Sequence, residues 1–280
     1  MDIKRILQKH GFYFKKAYGQ NFLTDEFLLD DIVTSAGITK EDTVIEIGCG
    51  AGTLTRAIAK HAGKVIGYEI DTKLTGILDE MLSDFDNVEI VFEDIMKQNI
   101  AEIEKNFSAG YYVVANLPYY ITTPILMKFL EESKYVKGLV VTVQKEVALR
   151  LSAKENTADY GAITAMINLV GDAYLIKHIG REQFLPPPSV DSAVVKIVLN
   201  RDKFKLKSVE TYREMVKIAF GNRRKTLCNN LMNSLKIARA QAEDILTSCD
   251  IDLLARGETL SAEKFVILSD YVYELRRKNG

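Results

Sequence analysis

Four residues in the middle of the chain, Asn116-Leu117-Pro118-Tyr119, place an amide, a rigid imide and an aromatic ring directly after the β-branched run 111–115. Such a tetrapeptide also suits a plain turn, because Asn and Pro form turns and Tyr packs near loops. Its chemical reading accounts for each residue type. The exocyclic amine of adenine is a poor nucleophile, since its lone pair is delocalised into the ring. An Asn side-chain oxygen and a backbone carbonyl held rigid by the proline can both accept from the amine hydrogens. That draws the lone pair out of conjugation and aims it at an electrophilic carbon, while Tyr119 stacks on the base. Positioning and preorganised dipoles carry such a reaction, and no strong base is needed.

A second group of residues could hold the electrophile. Residues 44–55, VIEIGCGAGTLT, read as a strand, the loop Gly48-Cys49-Gly50-Ala51-Gly52, and a helix opening at Thr53. Glycines there let a ligand approach the backbone, and a helix N-terminus offers free N–H groups. The spacing is G-x-G-x-G, not the G-x-G-x-x-G of dinucleotide sites, and no Gly-Lys-Ser/Thr follows as in a phosphate loop. Glu46 in the preceding strand would repel phosphate, so a cofactor without pyrophosphate fits better. Glu69 ends the next strand, 17 residues after Gly52, where a carboxylate can accept both hydroxyls of a ribose. Asp94, after the third strand, could accept from an adenine amine. Either acid alone is equally at home as a solvated loop residue or a helix cap. Their succession at consecutive strand ends is what points to a nucleoside-containing ligand.

These residues need a scaffold that brings strand ends together. Strand-like runs at 43–47, 63–69, 88–92, 111–115 and 138–143 alternate with helical periodicity at 54–61, 73–82, 123–132 and 163–169, the pattern of a parallel sheet covered on both faces. Two more strand candidates, 173–179 and 193–199, flank a proline-rich connection. Beyond Asn200 only helical repeats appear, at 209–220, 226–234, 239–247 and 261–277. The expected organisation is an α/β domain over 1–204 and a small all-α domain over 205–280. The uncharged stretch 106–127 is long enough to raise the question of a membrane span. Its two prolines argue against one, and it reads as a buried strand running into a loop.

Composition narrows the function classes. Charged residues are 27% and hydrophobic residues 47%, which suits a soluble globular chain with a sizeable core. Cys49, Cys228 and Cys249 are far apart and odd in number, and His10, His61 and His178 are scattered, so neither a disulfide framework nor a metal site is expected. The N-terminus lacks the features of a signal peptide, and a reducing, cytoplasmic setting is expected. Net charge is −1, yet residues 203–236 carry nine basic and two acidic side chains, and residues 1–20 carry five basic and one acidic. Charge runs are often only solvated surface, but two at opposite ends make a phosphate-facing surface plausible.

Taken together, the motifs resemble those of the ribosomal RNA adenine N6,N6-dimethyltransferase family (KsgA/RsmA type). Residues 116–119 match the (N/D)-x-P-(Y/F) motif of S-adenosylmethionine-dependent amino methyltransferases. Tyr18-Gly19-Gln20-Asn21-Phe22-Leu23 matches the family's GQNFL element. Gln144-Lys145-Glu146-Val147-Ala148 with Arg150 matches QKEVA-x-R, and residues 184–193, FLPPPSVDSA, match F-x-P-x-P-x-V-x-S-A. Residues 220–227, FGNRRKTL, and 256–260, RGETL, match elements of its helical domain. Cys49 departs from the pattern, standing where many members have Pro, and is small enough to fit. A reactive thiol there is a minor alternative.

The resemblance implies a Rossmann-like class I methyltransferase fold, a seven-stranded mostly parallel sheet ending in a β-hairpin, with S-adenosyl-L-methionine as cofactor. It implies cofactor contacts at Asn21, Leu23, Gly48, Glu69, Asp94 and Asn116, with Gln20, Gly50, Gly52, Ile70 and Ile95 beside them. Asn116, Leu117, Pro118 and Tyr119 would hold the target base, with Phe184 covering its other face. Arg223, Arg224 and Lys225 would grip RNA phosphates. The implied reaction dimethylates N6 of two adjacent adenosines in the 3′-terminal hairpin loop of small-subunit (16S) rRNA. A monomer acting on the assembling small ribosomal subunit is expected, with no metal and no membrane. Three other readings stay open: a macrolide-resistance type methyltransferase of large-subunit rRNA, a catalytically idle RNA-binding or assembly protein, and a nicotinamide oxidoreductase.

Overall fold

The computed structural model describes residues 3–14, 20–107 and 109–279. Tyr18 and Gly19 of the GQNFL element, and Lys15 and Lys16 of the N-terminal basic cluster, lie outside the described residues. Two compact units divide the chain. The first comprises Met1–Ala148 with Tyr174–Leu199, and the second Leu149–Ala173 with Asn200–Gly280. No described helix is long and apolar enough to cross a membrane.

The first unit is built on a seven-stranded sheet. Among the described residues the strands in chain order are β1 (Phe22–Leu23), β2 (Thr43–Ile47), β3 (Lys64–Tyr68), β4 (Val88–Val91), β5 (Tyr111–Asn116), β6 (Val136–Gln144), β7 (Gly171–Ile179), β8 (Phe184–Leu185) and β9 (Ser192–Leu199). The sheet order is β4-β3-β2-β5-β6-β9-β7, while β1 and β8 form a separate antiparallel pair. Strands β2 to β6 run parallel and β9 runs antiparallel to β6. The sheet order reverses at β2, between β3 and β5, which is where open sheets of this type form a ligand crevice outside the carboxyl ends of their strands.

Strand β2 is short and β-branched, and Val44, Ile45 and Ile47 are buried. The helix that follows, Thr53–His61, buries Leu54, Ala57 and Ile58, the spacing that puts one stripe on the core. Burying each such leucine or isoleucine contributes roughly 1.5–3 kcal/mol. These residues join Leu29, Ile32, Val33 and Val65 in one apolar cluster.

Two expectations are corrected here. The uncharged stretch does not run from a strand into a loop: β5 is followed after only Leu117 and Pro118 by the helix Tyr119–Glu132, with Pro124 inside it. Helical periodicity placed its start near residue 123. Pro124 lacks the N–H that would bond the carbonyl of Tyr120, so it forfeits one bond in the early turns. Short elements without a periodic signal were also not foreseen: the helices Ile3–Lys9, Glu26–Ser35, Ile100–Glu104 and Lys145–Leu151, and the β1–β8 pair.

The start of β5 is held by a buried carboxylate. Glu104 accepts from the hydroxyls of Tyr111 (3.0 Å) and Ser133, and from the backbone N–H groups of Lys134 and Tyr135. Burial alone would raise its carboxyl, but these donors outweigh it and hold the group below the usual glutamate range. Glu104→Gln is therefore expected to destabilise the fold by about 1–3 kcal/mol in urea unfolding at pH 7. A depressed folded pKa contributes stability above the unfolded value. The deficit of the variant should accordingly shrink as pH falls below about 4.5 and on through the folded pKa.

The second unit is helical. Its helices Ala162–Val170, Val209–Gly221, Leu227–Leu235, Arg239–Ser248 and Ala262–Asn279 bury Tyr160, Tyr212, Leu231, Leu246 and Phe265 in a shared core. The Tyr212 hydroxyl donates to the carbonyl of Ala165 at 2.9 Å. The unit thus takes in residues 149–173 as well as 200–280, whereas the boundary expected from sequence is a single break after 204. Ala165 and Leu169 pack in this helical core, and no composition change at 149 announces it.

Candidate active site

A cavity of about 280 Å³ opens at the carboxyl ends of the parallel strands, on the scale of a small-molecule pocket. Gly48, Gly50, Glu69, Ile70, Asp94, Ile95, Asn116, Leu117, Pro118, Gln20 and Asn21 all line it. Eleven expected residues from five separate stretches of sequence therefore converge on one cavity.

The glycine loop is shaped for close approach. Gly50 has φ +54, and a Cβ there would meet the ring of Phe22 at 2.6 Å, so a side chain is excluded by both strain and space. Gly52, φ +80, starts the helix Thr53–His61 without a capping side chain, leaving its first N–H groups uncapped. Gly52 itself is not part of the cavity wall, and Leu23 is fully buried in the core. Cys49 fits because its Sγ packs against Gly67 of β3. Burial, reinforced by the charges of Glu46 and Glu69, pushes its thiol well up, so it stays protonated and unreactive.

Glu69 locks this loop. Its Oε2 accepts from Gly50 N–H at 2.8 Å, and its Oε1 accepts from the N–H groups of Ile70 and Asp71, each at 2.8 Å. A carboxylate offers about four lone-pair sites, so one remains for a ligand hydroxyl. Asp94 caps the short helix Ile95–Lys97, accepting from Met96 N–H at 3.0 Å, and stays half-exposed in the wall. Gln20 donates to buried Asp71 at 3.3 Å, which ties the N-terminal stretch to the same wall.

At the end of β5, Asn116 donates from Nδ2 to the carbonyl of Asn21 at 3.2 Å. That bond fixes the amide, and among the described residues no donor occupies its Oδ1. The carbonyl of Pro118 already accepts from Ile121 N–H (3.1 Å) and the Thr122 hydroxyl (3.3 Å). The Leu117 carbonyl is the acceptor left beside Asn116. Tyr119 begins the helix, and its side chain lies outside what the structure describes.

Four expected residues, Phe184, Arg223, Arg224 and Lys225, do not line the cavity. Phe184, expected over the base, is 5% exposed and belongs to the core, pairing through β8 with Leu23. Arg223, expected to hold phosphate, donates to the carbonyls of Ala158 (2.8 Å) and Tyr160 (2.9 Å) within the second unit. Arg224 and Lys225 are exposed, and no ion pair engages either among the described residues. Lys203 and Lys207 of the same basic segment are paired with Asp172 and Glu274.

Other wall residues were not foreseen. Phe22, Tyr68, Glu93, Tyr120 and Ile121 line the cavity, as does Glu46. Tyr120 is 68% exposed at the start of its helix, and only its place next to the motif hints at a role. The wall thus contains four acids, Glu46, Glu69, Glu93 and Asp94, and no lysine, arginine or histidine among the described residues. Burial, then the charges of Glu93 and Glu89, push the Tyr68 phenol up. A wall of this sign suits a cationic ligand and repels a pyrophosphate, which weighs against a nicotinamide dinucleotide.

Comparison with known proteins agrees with this geometry. The family model described as ribosomal RNA adenine dimethylase matches residues 11–268. The chain is 43% identical over 279 residues to the ribosomal RNA small subunit methyltransferase A of Bacillus licheniformis, covering 97% of this chain and 96% of that one. It is 45% identical over 272 residues to the protein of the same name from Clostridioides difficile, covering 96% and 94%. Among solved structures, a dimethyladenosine transferase from Plasmodium falciparum aligns with TM-score 0.77 and 26% identity over 92% of this chain and 98% of its own. The 23S rRNA methyltransferase ErmE aligns with TM-score 0.69 and 26% identity over 90% and 100%.

Proposed function

Since the chain belongs to the ribosomal RNA adenine dimethylase family, we propose that it transfers methyl groups from S-adenosyl-L-methionine to N6 of two adjacent adenosines near the 3′ end of small-subunit rRNA. The observation that carries this reading is the convergence of the Asn116–Pro118 acceptors and the acid-lined glycine-loop cavity on one site. The matched relatives bear the small-subunit name at 43–45% identity, against 26% for the large-subunit enzyme.

The residues present fit the cofactor. Glu69 would take one ribose hydroxyl on its remaining lone pair, Asp94 the adenine amine, and Ile70 and Ile95 the faces of the adenine ring. The glycine loop admits the remainder without a side chain in the way. When bound, S-adenosyl-L-methionine supplies an electrophilic methyl group. The Oδ1 of Asn116 and the Leu117 carbonyl accept from the two N6 hydrogens of the target base and localise its lone pair. The amide oxygen needs no proton transfer to do so, and the methylated nitrogen sheds its proton to water. After the first transfer one N–H remains, so one acceptor suffices to present the amine again. The aromatic at position 119 holds the base, as its place in the motif assigns. The protein works in the cytoplasm as a monomer on an assembling subunit.

Isolated small and large ribosomal subunits incubated with labelled cofactor test the assignment. Label is expected as N6,N6-dimethyladenine in small-subunit rRNA. Label confined to large-subunit rRNA would move the chain to the macrolide-resistance type, and binding without transfer would make it an assembly protein.

The exposed pair Arg224 and Lys225 is assigned to RNA phosphate. Charge reversal at both is expected to weaken RNA binding by about tenfold or more at low salt and to reduce the salt slope by about 1–2. Arg223→Glu should instead lower the melting temperature, because it removes two bonds inside the second unit. Filter binding across a salt series distinguishes the two effects.

A further inference from the structure

Tyr120 is the most exposed apolar group of the cavity wall, and the transfer chemistry described above makes no use of it. It belongs to the wall, yet solvent reaches 68% of its surface. Both hold together for a ring at the mouth of the cavity. Among the described residues no hydrogen bond or ring contact engages it. Its helix, Tyr119–Glu132, sends Ile121 and Ile125, one turn apart, into the same wall. Successive helical positions lie about 100° apart around the axis. Position 120 therefore addresses a different surface from position 119, which the motif gives to the target base.

The charge of the wall limits how RNA can be held there. Its acids repel a phosphate backbone, and no lysine, arginine or histidine among the described residues offsets them. Grip on RNA close to the reacting atoms must come from contacts indifferent to charge, and stacking of bases on aromatic rings supplies it. The other strongly exposed apolar group of the wall, Ile70, has no ring and is assigned to the cofactor. Phe184 is buried in the core and offers no ring at the mouth either.

We propose that Tyr120 is the platform for the neighbour of the target base: while one adenosine of the pair occupies the cavity, the other stacks on the Tyr120 ring at its mouth. The inference rests on the small-subunit reading above and adds to it the residue that holds the adjacent base. A ring with most of its surface in solvent meets a base that has not entered, which sets it apart from a second cover for the target base. Stacking removes apolar surface from water and accepts either face of a purine, so it serves whichever of the two adenosines lies outside.

Small subunits rebuilt with natural rRNA, or with rRNA in which one adenosine of the pair is replaced by the weakly stacking uridine, supply the test. Single-turnover transfer to the retained adenosine, at subunit concentrations below half-saturation, is read by mass spectrometry. With the unaltered protein, uridine should slow transfer by about tenfold. Tyr120→Ala should be about tenfold slower on natural subunits and lose no more than about twofold again with uridine, because both changes remove one contact. Tyr120→Phe keeps the ring and should recover transfer to within about twofold. S-adenosylhomocysteine affinity should stay within about twofold in both variants. Unchanged transfer with uridine, losses that multiply, or Tyr120→Phe as slow as Tyr120→Ala overturns the proposal and leaves the small-subunit reading intact. A loss of S-adenosylhomocysteine affinity of about tenfold or more in Tyr120→Ala gives the ring to the cofactor and overturns it too. Failure of the unaltered protein to methylate natural small subunits overturns both together. The uridine comparison needs no variant, so it stands as a test even if one does not fold.

Discussion

Asn116→Ala is expected to slow methyl transfer by about a thousandfold while changing S-adenosylhomocysteine affinity by less than about threefold. The asymmetry follows from geometry. The amide is held by its own Nδ2 on the Asn21 carbonyl at 3.2 Å, which turns Oδ1 into a fixed acceptor. Alanine removes that acceptor and leaves the cavity's acids in place. Asn116→Asp is the sharper test, because it keeps an acceptor and places a carboxylate oxygen against the Asn21 carbonyl, where a donor stood. It should transfer more slowly than the native protein even with bound base. Single-turnover transfer to isolated small subunits reads the rate, and calorimetry with S-adenosylhomocysteine reads the affinity. Equal losses in both would mean that Asn116 only shapes the cofactor pocket.

Glu69→Ala should have the largest effect on cofactor binding, a loss of about a hundredfold or more. Two causes add. The ribose acceptor disappears, and three backbone N–H groups, those of Gly50, Ile70 and Asp71, lose their partner. Each donor left buried without a partner costs about 1–3 kcal/mol. The glycine loop then loses the tie that draws it to the end of β3, and the melting temperature should fall with the affinity. Glu69→Gln separates the causes. Its oxygen can still serve Ile70 and Asp71, but its NH₂ faces the N–H of Gly50, donor against donor. Affinity should fall by about tenfold with a smaller loss of stability. If Glu69→Ala bound S-adenosylhomocysteine normally, the adenosine end would have to lie elsewhere in the cavity.

Much of this site was legible because its residues sit at the ends of hydrophobic runs. A β-branched run closed by glycines fixes a strand-to-turn junction wherever the sheet ends, so Gly48, Glu69, Asp94 and Asn116 could be placed without knowing the strand order. The parallel core followed from alternation of period two and period 3.6. What stayed hidden depends on partners far away in sequence. Phe22 and Leu23 have no local strand signal and become β1 only by meeting Leu185 and Phe184. The same pairing buries Phe184, which motif position alone had assigned to a base. Arg223 and Arg224 are adjacent, identical in type and both exposed, yet Arg223 donates to the carbonyls of Ala158 and Tyr160, which nothing in the local sequence announces. Pro124 misled because a proline penalty is local, whereas the helix around it is held by buried Ile125, Leu126 and Phe129.

The central claim is that this cavity dimethylates small-subunit rRNA through Asn116. It is tested most directly by mass-spectrometric mapping of N6,N6-dimethyladenosine near the 3′ end of that rNA's mature form, taken from cells lacking the protein. Two adjacent dimethylated adenosines are expected to be absent there, restored by the native chain and not by Asn116→Ala. Dimethylation that persists without the protein, or returns in full with the Asn116→Ala chain, would contradict it.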